Sequence, residues 1–307
     1  MKFGKLPDIS GVNFKLPPDA PGTTRLLSGL EKREVPPRLF IGCTGWSMKE
    51  WVGKVYPKGA KAKDYLQAYT RQFNTIELNT THYRIPDSEA ILKWYVESSP
   101  DFRFCPKIPQ SISHSQNLGL GTALIPTFGE AVLGLGEKLG CCFMQMPPYF
   151  DIRRLPQLEK FLRAFPREIP LAIELRHESW FSEPANSQAV FSLLQQHNIA
   201  TVITDVAGRR DVLHMRLTNG TAMARFVGNG LHPTDFSRVD DWTGRLAAWF
   251  AEGLREAYFF SHEPDNLMAP ELAAYVLEKA KEKIPGVQAR GPKFIEEENQ
   301  GRQMSLF

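Results

Sequence analysis

Thr75-Ile76-Glu77-Leu78-Asn79-Thr80-Thr81-His82-Tyr83 is the stretch on which the reading of this chain turns. It opens as an alternating strand, with Ile76 and Leu78 on one face and Glu77 and Asn79 on the other, and runs into a polar segment closed by Arg84 and Pro86. If the aliphatic pair packs outward against helices, the carboxylate and the carboxamide point inward together. Burying such groups costs free energy unless they are paired or used. An inward polar pair at the carboxyl end of a strand therefore predicts either an ion pair tying a core together or a site.

Working outward, similar apolar runs recur along the chain. Leu39 to Cys43 reads as strand one, Phe102 to Lys107 as strand three, Gly140 to Met146 as four and Pro170 to Arg176 as five. Ala200 to Asp205 reads as strand six, Ala222 to Val227 as seven and Glu256 to Ser261 as eight, with Val212 to Leu217 as a further extended piece. Helical spacing between them marks Lys61–Gln72, Ile91–Val96 after a start at Pro86 to Glu89, Phe128–Leu139, Leu155–Phe165, Ser187–Gln196, Trp242–Leu254 and Pro270–Lys283. Eight strands, most followed by a helix, over roughly the ~250 residues such a fold takes predict an α/β protein, a single (β/α)8 TIM-like barrel. The competing doubly wound sheet would carry a glycine fingerprint after strand one, which Gly42-Cys43-Thr44-Gly45-Trp46 does not match.

The barrel is expected over residues 39–284. Residues 1–38, rich in proline and glycine, read as an irregular amino-terminal arm, and residues 285–307 as a flexible polar tail. With 307 residues and 42% hydrophobic content the chain can bury a large core, and a net charge of +3 is too mild to announce nucleic-acid binding by itself. Cys43, Cys105, Cys141 and Cys142 lack metal or redox spacing and read as reduced core thiols. With no signal-peptide run and no stretch of membrane-spanning length, a cytoplasmic location away from any membrane is the expectation.

In a barrel of this kind the chemistry gathers at the carboxyl ends of the strands. Polar residues there are Glu77 and Asn79 on strand two, Lys107 on three, Gln145 on four, Glu174 and Arg176 on five, Asp205 on six, Arg225 on seven and His262 after eight. Three carboxylates meet three cations, a balance that predicts no metal and no cofactor, although His82, His177 and His262 keep a single metal ion in view. Inward arginines and a lysine suit an anionic group. Glu77, Glu174 and Asp205 are then the candidate catalytic acids and bases, with Trp46, Asn79, Tyr83, Lys107, Gln145, Arg176 and Arg225 as substrate-binding residues. The competing reading is a self-neutralising network that stabilises the barrel mouth. Trp46, Trp51, Tyr83 and Trp180 add flat surface that suits sugars and nucleobases alike.

Gly42-Cys43-Thr44-Gly45-Trp46, Phe73 to Asn79 with Tyr83, Gln145-Met146-Pro147-Pro148, Glu174 to His177 with Trp180-Phe181, and Asp205 together resemble the successive motifs of the YecE-like family, a bacterial domain of unknown function. The resemblance spans about residues 39 to 280. His82 stands where phenylalanine is usual in that family, and Ser261-His262-Glu263 where many members have asparagines. The resemblance implies a TIM barrel related in shape to the endonuclease IV and xylose isomerase group. Gln303-Met304-Ser305-Leu306-Phe307 is similar to the motif with which bacterial repair proteins dock on the DNA polymerase sliding clamp, with Gln303, Leu306 and Phe307 as its anchors.

Three functions follow as expectations. The first is an enzyme, a metal-independent hydrolase or lyase, whose phosphorylated or phosphodiester substrate is a small molecule or a nucleic acid, linked to DNA maintenance. The second is a glycoside-processing barrel with Glu77 and Glu174 as its carboxylate pair. The third is a catalytically idle protein that binds the sliding clamp through its tail.

Overall fold

The computed structural model describes residues 4–31 and 35–295. Gln303, Leu306 and Phe307, the expected clamp anchors, lie outside the described residues. Eight parallel strands appear where the alternating runs placed them: β1 (Arg38–Gly42), β2 (Thr75–Leu78), β3 (Arg103–Pro106), β4 (Cys142–Gln145), β5 (Leu171–Glu174), β6 (Ala200–Asp205), β7 (Thr221–Val227) and β8 (Glu256–His262). Among the described residues nine α-helices accompany them: α1 (Pro21–Gly29), α2 (Tyr65–Gln72), α3 (Ser88–Glu97), α4 (Gln110–Ser113), α5 (Leu124–Leu133), α6 (Leu155–Ala164), α7 (Pro184–Gln196), α8 (Pro233–Glu252) and α9 (Ala269–Lys283).

The fold is α/β, built on a six-stranded parallel sheet in the order β1-β8-β7-β6-β5-β4, with β2 and β3 as a separate parallel pair. The single closed sheet expected from the sequence is thus met as six strands plus two. Single backbone bonds cross both seams. Glu77 N–H donates to the Cys43 carbonyl (3.0 Å) next to β1, and Gly140 N–H to Phe104 (2.7 Å) and Ile108 N–H to Phe143 (2.8 Å) between β3 and β4. Each seam carries a bond or two rather than a ladder.

Alternation sorts the side chains. Phe40, Cys105, Cys141, Phe143, Ala172, Ala200, Val202, Met223, Tyr258 and Phe260 form one cluster on the inner face, closed by the Phe40–Tyr258 stack at 4.7 Å. The intervening residues face the helices. Ile41, Ile76, Ala224 and Phe259 pack with α2, α8 and α9, and Met144, Ile173 and Leu175 with α5, α6 and α7. All four cysteines are free and buried. No helix among the described residues is long and apolar enough to cross a membrane.

Two segments differ from the sequence reading, each for a local reason. The arm contains α1, begun by a proline at its first turn, and is pinned through Thr23, whose hydroxyl donates to the Met215 carbonyl (2.8 Å) and accepts from Leu217 N–H (3.0 Å). The same contacts, with Thr201 donating to the Arg216 carbonyl, hold residues 213–218, the further extended piece, as extended coil. α8 begins at Pro233, well before Trp242, because His232 and Asp235 form a capping box. Asp240 is a helix residue whose carboxylate accepts from the Tyr275 hydroxyl (3.2 Å).

At Gly42 the close approach of β2 requires glycine: an added Cβ would lie 2.3 Å from the Thr75 carbonyl oxygen. Gly42→Ala is expected to cost about 2–3 kcal/mol in urea unfolding, because backbone rather than a movable side chain must shift. Gly45→Ala, with nothing within 4 Å of the added carbon, is the matched control. Equal stability of the two variants would contradict this packing.

Candidate functional site

Strand parity brings Glu77, Gln145, Glu174 and Arg225 to the inner face at one level, and Lys107, Arg176, Asn79 and His262 close in from the strand ends. Arg225 is the centre of the group. Its Nε and Nη2 donate to the two oxygens of Glu77 (2.7 and 2.8 Å), and its Nη1 donates to Glu174 Oε2 (2.7 Å). The fork geometry of a guanidinium permits this bridging, which an ammonium could not reproduce.

Other donors also reach the carboxylates. Asn79 Nδ2 donates to Glu77 Oε1 (2.9 Å), and His262 Nε2–H donates to Glu77 Oε2 (2.9 Å). Gln145 Nε2 donates to Glu174 Oε2 (2.7 Å) and Arg176 Nε to Glu174 Oε1 (2.8 Å). Gln145 in turn accepts from the Lys107 ammonium through Oε1 (3.0 Å). The chain of partners fixes the amide orientation of Gln145: only one face can donate and the other accept.

These contacts set the protonation states. Burial alone would raise Glu77, but Arg225 and His262 outweigh it and hold the carboxyl well below its ordinary range. Burial likewise opposes ionisation of Glu174, and Arg176, Arg225 and Gln145 bring it down to about 2. His262 is lowered by burial despite Glu77, so the neutral imidazole is the donor. Lys107 is lowered to about 8, by burial first and Arg225 second, against the pull of both glutamates. Two carboxylates thus face three cations when Lys107 is protonated, leaving one positive charge.

Not every expected residue joins this group. Asp205 was expected beside it, yet its oxygens accept from the Trp242 indole (2.8 Å) and pair with Arg210, with Arg238 at 3.8 Å. Ala200 and Val202 face inward on β6, so Asp205 faces the helices. Trp46 is half-buried and edge-on to Trp94 (6.1 Å). Trp51 and Trp180 are core residues, their indoles bonded to the Leu267 and Phe150 carbonyls, so neither offers the flat rim surface expected of it. Tyr83 does, being 76% exposed. His177 caps a turn by accepting from Ser179 N–H (3.1 Å), and His82 Nδ1–H donates to the Ile108 carbonyl (3.1 Å). Among the described residues no three His, Cys, Asp or Glu side chains stand together as a metal site.

Two features were missed from the sequence. His114, at the end of α4, stands beside His82 with ring centroids 5.4 Å apart. Glu263 and Asp235 form a second buried acidic pair that ties down the loop after β7: Asp235 accepts from Asn229 N–H (2.8 Å) and Glu263 from Gly230 N–H (2.8 Å). Burial raises Glu263 to about 7. A lone histidine after a proline turn and a glutamate after a strand carry no periodic signal that would have marked either.

A family profile described as protein of unknown function DUF72 matches residues 40–296. The chain is 30% identical over 269 residues to the UPF0759 protein YecE of Escherichia coli strain K12, covering 82% of this chain and 96% of that protein. It is 28% identical over 161 residues to the UPF0759 protein YunF of Bacillus subtilis strain 168, covering 50% of this chain and 55% of that one. A crystal structure of a DUF72 family protein from Enterococcus faecalis V583 superposes with a TM-score of 0.64 at 20% identity, over 83% of this chain and 98% of that chain, a likeness of fold. The chain belongs to the YecE-like family, the family of unknown function DUF72.

Proposed function

We propose that this protein is an enzyme that binds a phosphate-bearing substrate at the carboxyl end of its strands, and that the eight strands act as one closed barrel around that site. Lys107 carries the reading. Its side chain is buried, with the residue only 7% exposed, and its ammonium has one hydrogen-bond partner, Gln145, and no carboxylate in ion-pair contact among the described residues. A buried cation with donors to spare is costly unless something anionic completes it. The net positive charge of the ring supports an anion as that partner.

The roles then differ from a simple acid–base pair of glutamates. Glu77 and Glu174, both ionised and accepting from several donors, hold Arg225 and Arg176 in place. Lys107, with a pKa of about 8, is the member of the ring able to give or take a proton near neutrality. The glycoside-processing reading is less well supported, because it needs one carboxyl group that stays protonated until it acts. Here both carboxyls share one guanidinium and are held charged.

The test is calorimetric titration with inorganic phosphate. Arg176→Ala removes a cation beside Lys107 while Arg225 and Gln145 still hold Glu174, and is expected to weaken binding about tenfold or more. Unchanged affinity, or no phosphate binding by the parent protein, would sink the proposal.

A further inference from the structure

The loops after β2, β3 and β4 build an aromatic strip along one side of the cation pair. Tyr83 lies 5.3 Å from His82 between ring centroids, and His82 lies 5.4 Å from His114. Tyr149, from the loop after β4, donates its hydroxyl to the His114 carbonyl (3.3 Å) and so ends the strip on the far side. The two tyrosines are 76% and 59% exposed, flat surfaces left open where most large apolar side chains of this chain are buried. The strip adjoins the ring: Thr81, next to His82, donates its hydroxyl to the Lys107 carbonyl (2.7 Å), and His82 itself is held on the carbonyl of Ile108, the residue after Lys107.

The imidazoles are prepared for a particular partner. Burial lowers His82 to about 4 and lowers His114 as well, with the nearby cations adding to the effect, so both rings are neutral. His82 Nδ1–H donates to the Ile108 carbonyl. His114 Nδ1 is engaged by Ser113 Oγ (2.9 Å), which also lies 3.1 Å from the Pro109 carbonyl. In the neutral His82 ring the proton is on Nδ1, and Nε2 is left as an acceptor. An acceptor set among exposed flat rings suits a heterocycle with an amino group.

We propose that the strip Tyr83–His82–His114–Tyr149 and the Lys107–Arg176 pair form one site for a nucleotide, with the phosphate at the cations and the base stacked on the tyrosines and read by the His82 imidazole. The inference rests on the anion-binding reading above and names its substrate class. Base stacking on aromatic side chains tolerates many sequences, so a free nucleotide and a nucleotide within a single strand present the same chemistry.

The experiment compares three probes on the full chain by calorimetry: ribose 5-phosphate, adenosine 5′-monophosphate and a short single-stranded oligonucleotide. The monophosphate is expected to bind about tenfold or more tighter than ribose 5-phosphate, the usual gain from stacking one base. Tyr83→Ala with Tyr149→Ala, both exposed and so compatible with folding, is expected to erase that margin. An oligonucleotide that binds tighter still identifies a strand as the source of the nucleotide, whereas equal affinity identifies the free nucleotide. If both sugar phosphates bind equally, the nucleotide inference fails and the anion site stands. If neither binds, the anion site fails and the inference with it.

Discussion

Arg225→Met is expected to cost about 3–5 kcal/mol of folding stability, the range for removing one partner of a buried ion pair, and to lower the melting temperature by roughly 10 °C. The fully buried guanidinium makes three hydrogen bonds to Glu77 and Glu174, and without it the buried Glu77 loses its arginine and Glu174 keeps only Arg176. Arg225→Lys should rescue little, because one ammonium cannot span the two carboxylates.

The pH dependence gives an independent reading of the same bond. In the parent protein both glutamates are held below their ordinary value of 4.5, so their contribution is present above that pH and is lost as the pH falls toward the folded-state values. In Arg225→Met burial acts on Glu77 with less opposition and its pKa rises. The gap in stability between parent and variant should therefore narrow as the solution is acidified below about pH 4.5. Chemical denaturation across that range checks this, and a gap that is constant with pH would remove the buried ion pairs as its cause.

Lys107→Met is expected to weaken anion binding about 100-fold, the loss of a charge-assisted bond worth ~2–3 kcal/mol. Its titration makes the same point without a mutation. The protonated amine is the binding form, and the folded-state pKa is about 8. Affinity for sulfate, whose charge is constant over this range, should be flat below about pH 7 and fall as the pH rises through about 8. In Lys107→Arg the guanidinium stays charged, so the fall at that pH should disappear. A parent protein whose sulfate affinity is level from about pH 6 to pH 9.5 would exclude Lys107 as the anchoring charge.

Helices were less legible than strands. α3 was placed from the proline and acidic residues at its start, and Asp87 does accept from Ala90 N–H (2.9 Å). α5 was read too far toward Leu139, whereas it ends at Leu133 and Gly136 adopts positive φ at the turn that follows. α1 has only nine residues, too few for a period to stand out from the prolines and glycines around it. The motifs of the YecE-like family were legible as a set because they recur in order on β2 and at the carboxyl ends of β1, β4, β5 and β6.

For β2, β4 and β5 alternation alone says which residues point inward, because apolar side chains flank each polar one along the chain. That local rule gathers Glu77, Gln145 and Glu174. β6 carries a threonine on each face, Thr201 and Thr204, so its residues give no such signal, and packing in the fold turns Asp205 away to Trp242 and Arg210. The tertiary structure also decided which groups share a proton or a charge. The state of Lys107 depends on Glu77, Glu174, Arg176 and Arg225, which come from strands distant in sequence. Coulomb energy follows distance in space and burial in the fold, and neither is encoded in the spacing of residues along the chain.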